Sequence, residues 1–248
     1  MILDRILSVT PPRTRRIIRK FKYYLMGNMS SASYWNTAAK ISAKAAIYTD
    51  CVDDRQFFDS AEREVSLARK KAVLGPHVRT LDIGCGIGRI ENAIHGEVHS
   101  IVGVDVSEEM LKRARDKVRA PNVSFQAVDG QSLNGIESEQ FDLCLSFMVL
   151  QHIPRAAVAN YIREVGRVLK PGGRFLFQIP LPEPNGAAEP PANHPFGVRY
   201  YTTREVQELL RSARMILLER FNERAVPVPD DPSLDGPAYQ FHLAQRIS

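Results

Sequence analysis

Cysteine is scarce: the chain has three, Cys51, Cys85 and Cys144, in 248 residues. An odd number at wide spacing argues against both a disulfide framework and a cysteine-based metal cluster. Long apolar runs are also missing, and none approaches the roughly 20 residues needed to span a bilayer. The first residues form no apolar signal segment, because Asp4, Arg5 and a series of later basic residues interrupt them. A cytoplasmic location is therefore expected. There are no internal repeats, and the only biased tract is proline-rich. What is present is ordinary. With 44% hydrophobic and 25% charged residues, the chain can bury a sizeable core. Its length suits one domain with an appendage.

Net charge is small everywhere except in one arm. Residues 1–31 carry seven basic side chains against Asp4, whereas the remainder balances 26 basic against 27 acidic. Within 13-RTRRIIRKFKYYL-25, Ile17, Ile18, Phe21, Tyr24 and Leu25 recur at helical spacing, with basic residues filling much of the rest. Three readings are open: a cationic helix on an anionic membrane surface, a helix docked on the domain with solvated charges, and an RNA-backbone contact. The last lacks an aromatic stacking surface beside the charges.

From about residue 78 apolar runs alternate with helical patterns. Strands are expected near 79–84, 99–104, 122–128, 141–147 and 173–179, with helices near 88–95, 108–118 and 155–169 between them. Such alternation predicts an α/β fold whose largely parallel sheet is covered on both faces. After a stop at Pro171-Gly172-Gly173 and the strand that follows, residues 180–199 hold six prolines and form a long loop. Thr202 or Thr203 then caps a helix near 204–213, and strands follow near 215–221 and 238–245. Residues 33–73 read as helices, with Tyr34, Trp35, Ala38 and Ile41 on an apolar stripe that packs over the ligand edge or simply joins the core. The expected organisation is an arm at 1–31, a helical cap at 32–77 and a core at 78–248 containing a substrate loop at 180–201.

The stretch 81-LDIGCGIGRI-90 places Gly84, Gly86 and Gly88 between a strand and a helix. Residues without a β-carbon let the backbone turn sharply and approach a ligand. Alone, the pattern fits a tight structural turn equally well. A second strand, however, ends in Asp105, about 20 residues on, where a carboxylate can accept from both hydroxyls of a ribose. Helix capping is the other reading of Asp105, although Ser107 is available for that. A third strand ends in Asp129-Gly130, suited to an exocyclic amine. The glycine spacing is not the G-x-G-x-x-G of dinucleotide loops, and Asp82 would repel a pyrophosphate. An ammonium and a sulfonium would instead be attracted. Both features favour a methionine-bearing nucleoside.

With 102-VGVDVSEEML-111, 122-NVSFQAVDG-130, 141-FDLCLSFMVLQHI-153 and 164-EVGRVLKPGGRFLF-177 following in order, the sequence resembles the class I S-adenosylmethionine-dependent methyltransferases of small-molecule type. Residues 200-YYTTREVQELLRSA-213 are also similar. The resemblance implies a doubly wound, Rossmann-like seven-stranded sheet with an antiparallel last strand. It also implies S-adenosyl-L-methionine as cofactor and S-adenosyl-L-homocysteine as product. It places Gly84, Cys85, Gly86 and Gly88 under the methionine, Asp82 by its ammonium and Asp105 on the ribose. Val106 and Met110 would flank the adenine, Asp129 and Gly130 its amine, and Ser146 and Phe147 the methyl-donor site. Arg214-Met215 departs from the glycine-aromatic pair common at that point. His152 is the candidate general base for an oxygen nucleophile, or else a packed pocket residue. Tyr34, Trp35, His194, Tyr200 and Tyr201 are candidate acceptor or lid residues. No carboxylate-asparagine set points to a magnesium site, so no metal is expected. The absence of an Asn-Pro-Pro-aromatic stretch after the fourth strand argues against a nucleobase amine. The expected acceptor is a small-molecule, carrier-linked or lipid-linked hydroxyl, of glycan or secondary-metabolite type. An RNA acceptor and a non-catalytic cofactor-binding role are the alternatives.

Overall fold

The computed structural model describes residues 29–47, 54–72, 74–180, 190, 197–223 and 239–248. The basic helix expected at 13–25, His194 and most of the proline-rich loop lie outside these residues.

Three helices, α1 (Ser31–Ile47), α2 (Asp54–Asp59) and α3 (Glu62–Leu67), precede a π-helical turn at Ala68–Ala72. The core then runs β1 (Arg79–Ile83), α4 (Arg89–Ile94), β2 (Ser100–Asp105), α5 (Glu108–Lys117), β3 (Val123–Ala127) and β4 (Phe141–Ser146). A single 3-10 turn, Leu150–His152, leads into α6 (Arg155–Val168) and β5 (Leu169–Gln178). Helix α7 (Thr203–Ser212) and strands β6 (Met215–Glu223) and β7 (Tyr239–Arg246) complete it.

The seven strands form one sheet in the order β3-β2-β1-β4-β5-β7-β6. Strands β1 to β5 are parallel, and β7 runs antiparallel to both neighbours. The expected α/β class and strand sequence are therefore present. β5 starts four residues earlier than the glycine pair suggests. Leu169 pairs with Phe141, and a register shift between Phe141 and Leu143 absorbs the bend, with Gly172 at φ 79°.

Alternation along the strands sends side chains to two cores. Leu81, Ile83, Val104, Phe175 and Phe177 pack under α6 and α7. Leu143, Leu145, Phe147 and Leu176 pack against α3, α4 and the π turn. Helix α6 buries Val158, Tyr161, Ile162, Val165 and Val168 at helical spacing. Each such side chain contributes about 1.5–3 kcal/mol relative to exposure. A β-carbon on Gly166 would stand 2.3 Å from the Ala213 carbonyl oxygen, so glycine sets how closely α6 meets the end of α7. Just beyond, Arg214 occupies the left-handed region (φ 54°), the conformation a glycine would hold at no steric expense. Thr202 caps α7 in a reciprocal box with Glu205.

The cap is tied to the core at defined points. Ala39, Ala43 and Phe57 pack on Ile87 of the glycine turn and on Met110 of α5, with Trp35 beside them. The Asn36 side-chain oxygen accepts from Ser107 Oγ (2.8 Å) and from the Glu109 backbone N–H (3.1 Å). Among the described residues no helix is long and apolar enough to cross a membrane.

Candidate active site

Strands β1 and β4 lie side by side where the strand order reverses, the usual ligand position in an open parallel sheet. A cleft of about 140 Å³ opens there, lined mainly by apolar groups from the cap, the glycine turn, the tips of β2 and β4 and helix α6.

Backbone geometry shapes the turn after β1. Gly84, Gly86 and Gly88 all hold positive φ, at 79°, 56° and 82°. The Gly84 and Cys85 N–H groups donate to the Val104 carbonyl at 2.7 and 3.1 Å, fastening the turn to β2. A β-carbon on Gly84 would come within 2.2 Å of Val149 Cγ2, closing the space between the turn and the β4 tip. Gly88 serves a different contact. Its missing side chain leaves room for Val118 Cγ2 and Phe125 Cζ, which a β-carbon would meet at 2.8 and 3.2 Å.

Two carboxylates face the cleft. Asp105 accepts from the Gly86 N–H (3.0 Å) and the Ser107 N–H (2.8 Å), so it braces the turn and keeps lone pairs for a ligand. Burial raises its pKa despite these bonds. Ser107 takes the capping role, accepting from the Met110 N–H. Asp82 is 3% exposed, and burial pushes it up to about 7, against the opposing pull of Arg89. Burial also pushes the Cys85 thiol up, which keeps it neutral. Arg89 pairs with Glu64 of α3 at 3.0 Å in an almost fully buried ion pair, so its charge is met within the cap.

Opposite the turn, Met148 at the β4 tip holds a positive φ of 59° and donates its N–H to Gln178 Oε1 at 3.0 Å. Next comes the turn carrying His152. The Arg199 guanidinium donates to the His152 carbonyl (3.1 Å), and the Arg199 N–H donates to the Gln151 carbonyl (2.8 Å). The far end of the proline-rich loop therefore docks on the turn that bears the candidate base. The loop's two ends meet through the Tyr201 N–H and the Pro180 carbonyl.

Eleven of the residues singled out from sequence line the cleft: Trp35, Asp82, Gly84, Cys85, Gly86, Asp105, Val106, Met110, Gly130, Phe147 and His152. Six others stand off its lining. Gly88 packs on α5 and β3, as above. Ser146 donates its hydroxyl to the Ile83 carbonyl at 3.2 Å. Asp129 is exposed and closes its own turn, accepting from the Gln131 and Ser132 N–H groups at 2.7 Å each, which holds its pKa below the usual range. Tyr34 is buried edge-on against Trp35. Tyr201 lies in the main core beneath the Arg155 guanidinium, and Tyr200 lends its carbonyl to the same arginine. Lining residues that sequence reasoning missed include Arg89, Ile90, Val128, Met148, Val149 and Tyr161. Arg89 follows the last glycine of the turn, and Val128, Met148 and Val149 lie inside recognised motifs, a usable signal; nothing local marks Tyr161.

The residues fit S-adenosylmethionine: a turn that side chains would fill, a carboxylate at its base and a second one at the β2 tip. Comparison with known proteins agrees. Residues 81–177 match the model described as a methyltransferase domain. That match runs from β1 to β5, so a methyltransferase domain is assigned to this segment of the chain. The chain is 32% identical over 125 residues to the cyclopropane-fatty-acyl-phospholipid synthase of Escherichia coli, covering 50% of this chain and 32% of that protein. It is 30% identical over 101 residues to the ubiquinone biosynthesis O-methyltransferase of Thiobacillus denitrificans, covering 40% of this chain and 43% of that protein. The chain thus spans less than half the length of these relatives. Among solved structures, a Mesorhizobium loti S-adenosylmethionine-dependent methyltransferase superposes with a TM-score of 0.61 at 22% identity, covering 76% of this chain and all of that one. The magnesium protoporphyrin IX methyltransferase of Synechocystis PCC 6803, with bound SAH, superposes with a TM-score of 0.63 at 16% identity, over 87% and 97%. The [4+2]-cyclase SpnF superposes with a TM-score of 0.62 at 23% identity, over 76% and 82%. At these identities the structural likeness establishes the fold alone.

Proposed function

We propose that this chain is a working methyltransferase that modifies a hydroxyl of a small-molecule, carrier-linked or lipid-linked acceptor, of glycan or secondary-metabolite type. One observation carries the reading: a single cleft joins Asp82, the glycine turn and Asp105 on one side to His152 on the other. When bound, S-adenosylmethionine supplies an electrophilic methyl group on a positively charged sulfur. Asp82 binds the ammonium, and Gly84 and Gly86 admit the methionine part close to the backbone. Asp105 accepts from the ribose hydroxyls, while Val106 and Met110 pack on the base. His152 takes the proton from the acceptor hydroxyl. Phe147, Val149, Ile153 and Trp35 keep water away and hold the acceptor in line. Two relatives bear on the acceptor through their names, an O-methyltransferase on the hydroxyl and a cyclopropane-fatty-acyl-phospholipid synthase on the lipid link alone. The basic segment 13–25, where six cationic side chains could each contribute about 1 kcal/mol at an anionic membrane, supports a lipid-linked acceptor further.

The test follows release of S-adenosylhomocysteine across a panel of hydroxyl, amine and carboxyl acceptors, with lipid-linked and free forms of each. Turnover with hydroxyls that is lost in His152→Ala supports the reading. Turnover confined to amines or carboxyls refutes the hydroxyl assignment. Cofactor binding with no turnover on any acceptor would support a non-catalytic role or another chemistry, as the fold's occurrence in a cyclase illustrates. An RNA acceptor predicts RNA affinity that falls steeply with salt and disappears when residues 1–31 are removed.

A further inference from the structure

Helix α4 carries a carboxyl group that the proposed chemistry leaves unused. Glu91 is 0% exposed, and no hydrogen-bond donor of the protein reaches either of its oxygens. A buried carboxylate in that state would be severely penalised. Its location explains why it is tolerated. Asp82 and Gly103 are register partners on β1 and β2, so their Cα–Cβ directions share a face of the sheet. A β-carbon on Gly103 would lie 2.5 Å from Glu91 Oε1. The strand glycine therefore leaves a recess beside Asp82, and the Glu91 carboxyl occupies it. Two buried carboxyls on either side of one strand-glycine recess resist ionising together. Since Asp82 offers only acceptor atoms when ionised, a bond between the two requires that one of them keep its proton. Position decides which one: Asp82 lines the cleft and Glu91 does not, so a ligand's cation reaches Asp82 and the proton falls to Glu91.

Resting on the cofactor reading above, we propose that Glu91 is the positioning residue of the ammonium subsite. As the neutral acid it donates a hydrogen bond to the Asp82 carboxylate and holds that carboxylate toward the cleft. With the ligand's ammonium group in place, the proton stays on Glu91 and the charge on Asp82, which presents a single negative charge to it. Glu91 touches neither ligand nor reacting atoms. Burial and the neighbouring Asp82 both raise its pKa well above the ordinary carboxylate value, consistent with this assignment.

Calorimetry with two ligands tests it: S-adenosylmethionine, and 5′-methylthioadenosine, which shares the nucleoside but lacks the ammonium group. Glu91→Gln keeps a neutral donor of nearly the same shape, so it should bind both ligands within about threefold of wild type. Glu91→Leu removes the donor and should weaken S-adenosylmethionine about tenfold while leaving 5′-methylthioadenosine within about twofold. Equal losses for both ligands would reduce Glu91 to a packing residue and overturn the assignment, as would unchanged S-adenosylmethionine binding by Glu91→Leu. Should Glu91→Leu fail to fold, the Gln variant decides. If Glu91 were ionised in the wild type, removing its charge would move the pH midpoint of S-adenosylmethionine binding down by more than about one unit, which refutes a neutral Glu91. An unmoved midpoint supports it. Failure of the wild type to bind either ligand would instead overturn the cofactor reading beneath it.

Discussion

The role proposed for Asp82 makes cofactor affinity depend on pH, in the direction set by its raised carboxyl. Its carboxyl is buried and raised to about 7, so in the free protein it is mostly protonated in mild acid. Only the ionised form attracts an ammonium group. With that midpoint, about 3% of the free protein is binding-competent at pH 5.5 and about half at pH 7.0. S-adenosylmethionine affinity should therefore rise about fifteenfold between these values, equivalent to ~1.6 kcal/mol. Calorimetry across the interval measures this, with 5′-methylthioadenosine as reference. Burial also raises Asp105, whose titration would affect both ligands through the ribose, so the difference between them isolates Asp82. Stability should move the opposite way. A carboxyl raised from 3.8 to about 7 favours the folded state below 3.8, and that contribution is lost as the pH climbs to 7. The ligand's ammonium offsets the loss, so the thermal shift produced by S-adenosylmethionine should grow from pH 5.5 to 7.0. Asp82→Asn should flatten both trends. A profile unchanged in that variant, or the same slope with 5′-methylthioadenosine, would refute this account.

Other substitutions probe separate contacts. Gly84→Ala forces a side chain into positive φ and against Val149, which should raise the S-adenosylmethionine Kd at least tenfold and destabilise by about 1–3 kcal/mol, read by calorimetry and urea melts. Asp105→Ala should weaken S-adenosylmethionine and 5′-methylthioadenosine alike; equal binding by variant and wild type would remove the ribose assignment. Arg89→Met leaves Glu64 buried without its partner and should destabilise by about 3 kcal/mol, a fall in Tm of roughly 10 °C by scanning calorimetry. Asn36→Ala cuts two hydrogen bonds between α1 and α5. A destabilisation of about 1–2 kcal/mol is expected, with faster amide exchange in residues 31–47 and faster cofactor release.

The order of strands and helices was legible in the sequence because it depends on short-range features. These are two- and 3.6-residue periodicity, Ser107 and Thr202 as caps, and glycines where φ turns positive. The glycine turn with Asp82 and Asp105 at adjoining strand tips was legible for the same reason, since a parallel sheet brings successive tips to one edge. Asp129 shows where that reasoning reaches its limit. Position put it at a strand tip, but local bonding turned its carboxylate to its own loop. Tyr201 and Ser146 likewise face the protein interior, a choice set by packing and not by position along the chain. Only the tertiary structure brought Arg89 to Glu64 across 25 residues, Asn36 to Ser107 across 71 and Glu91 into the space over Gly103. Those pairings have no periodic signature. They exist because buried polar groups must find partners among whatever the folded chain brings within hydrogen-bond reach.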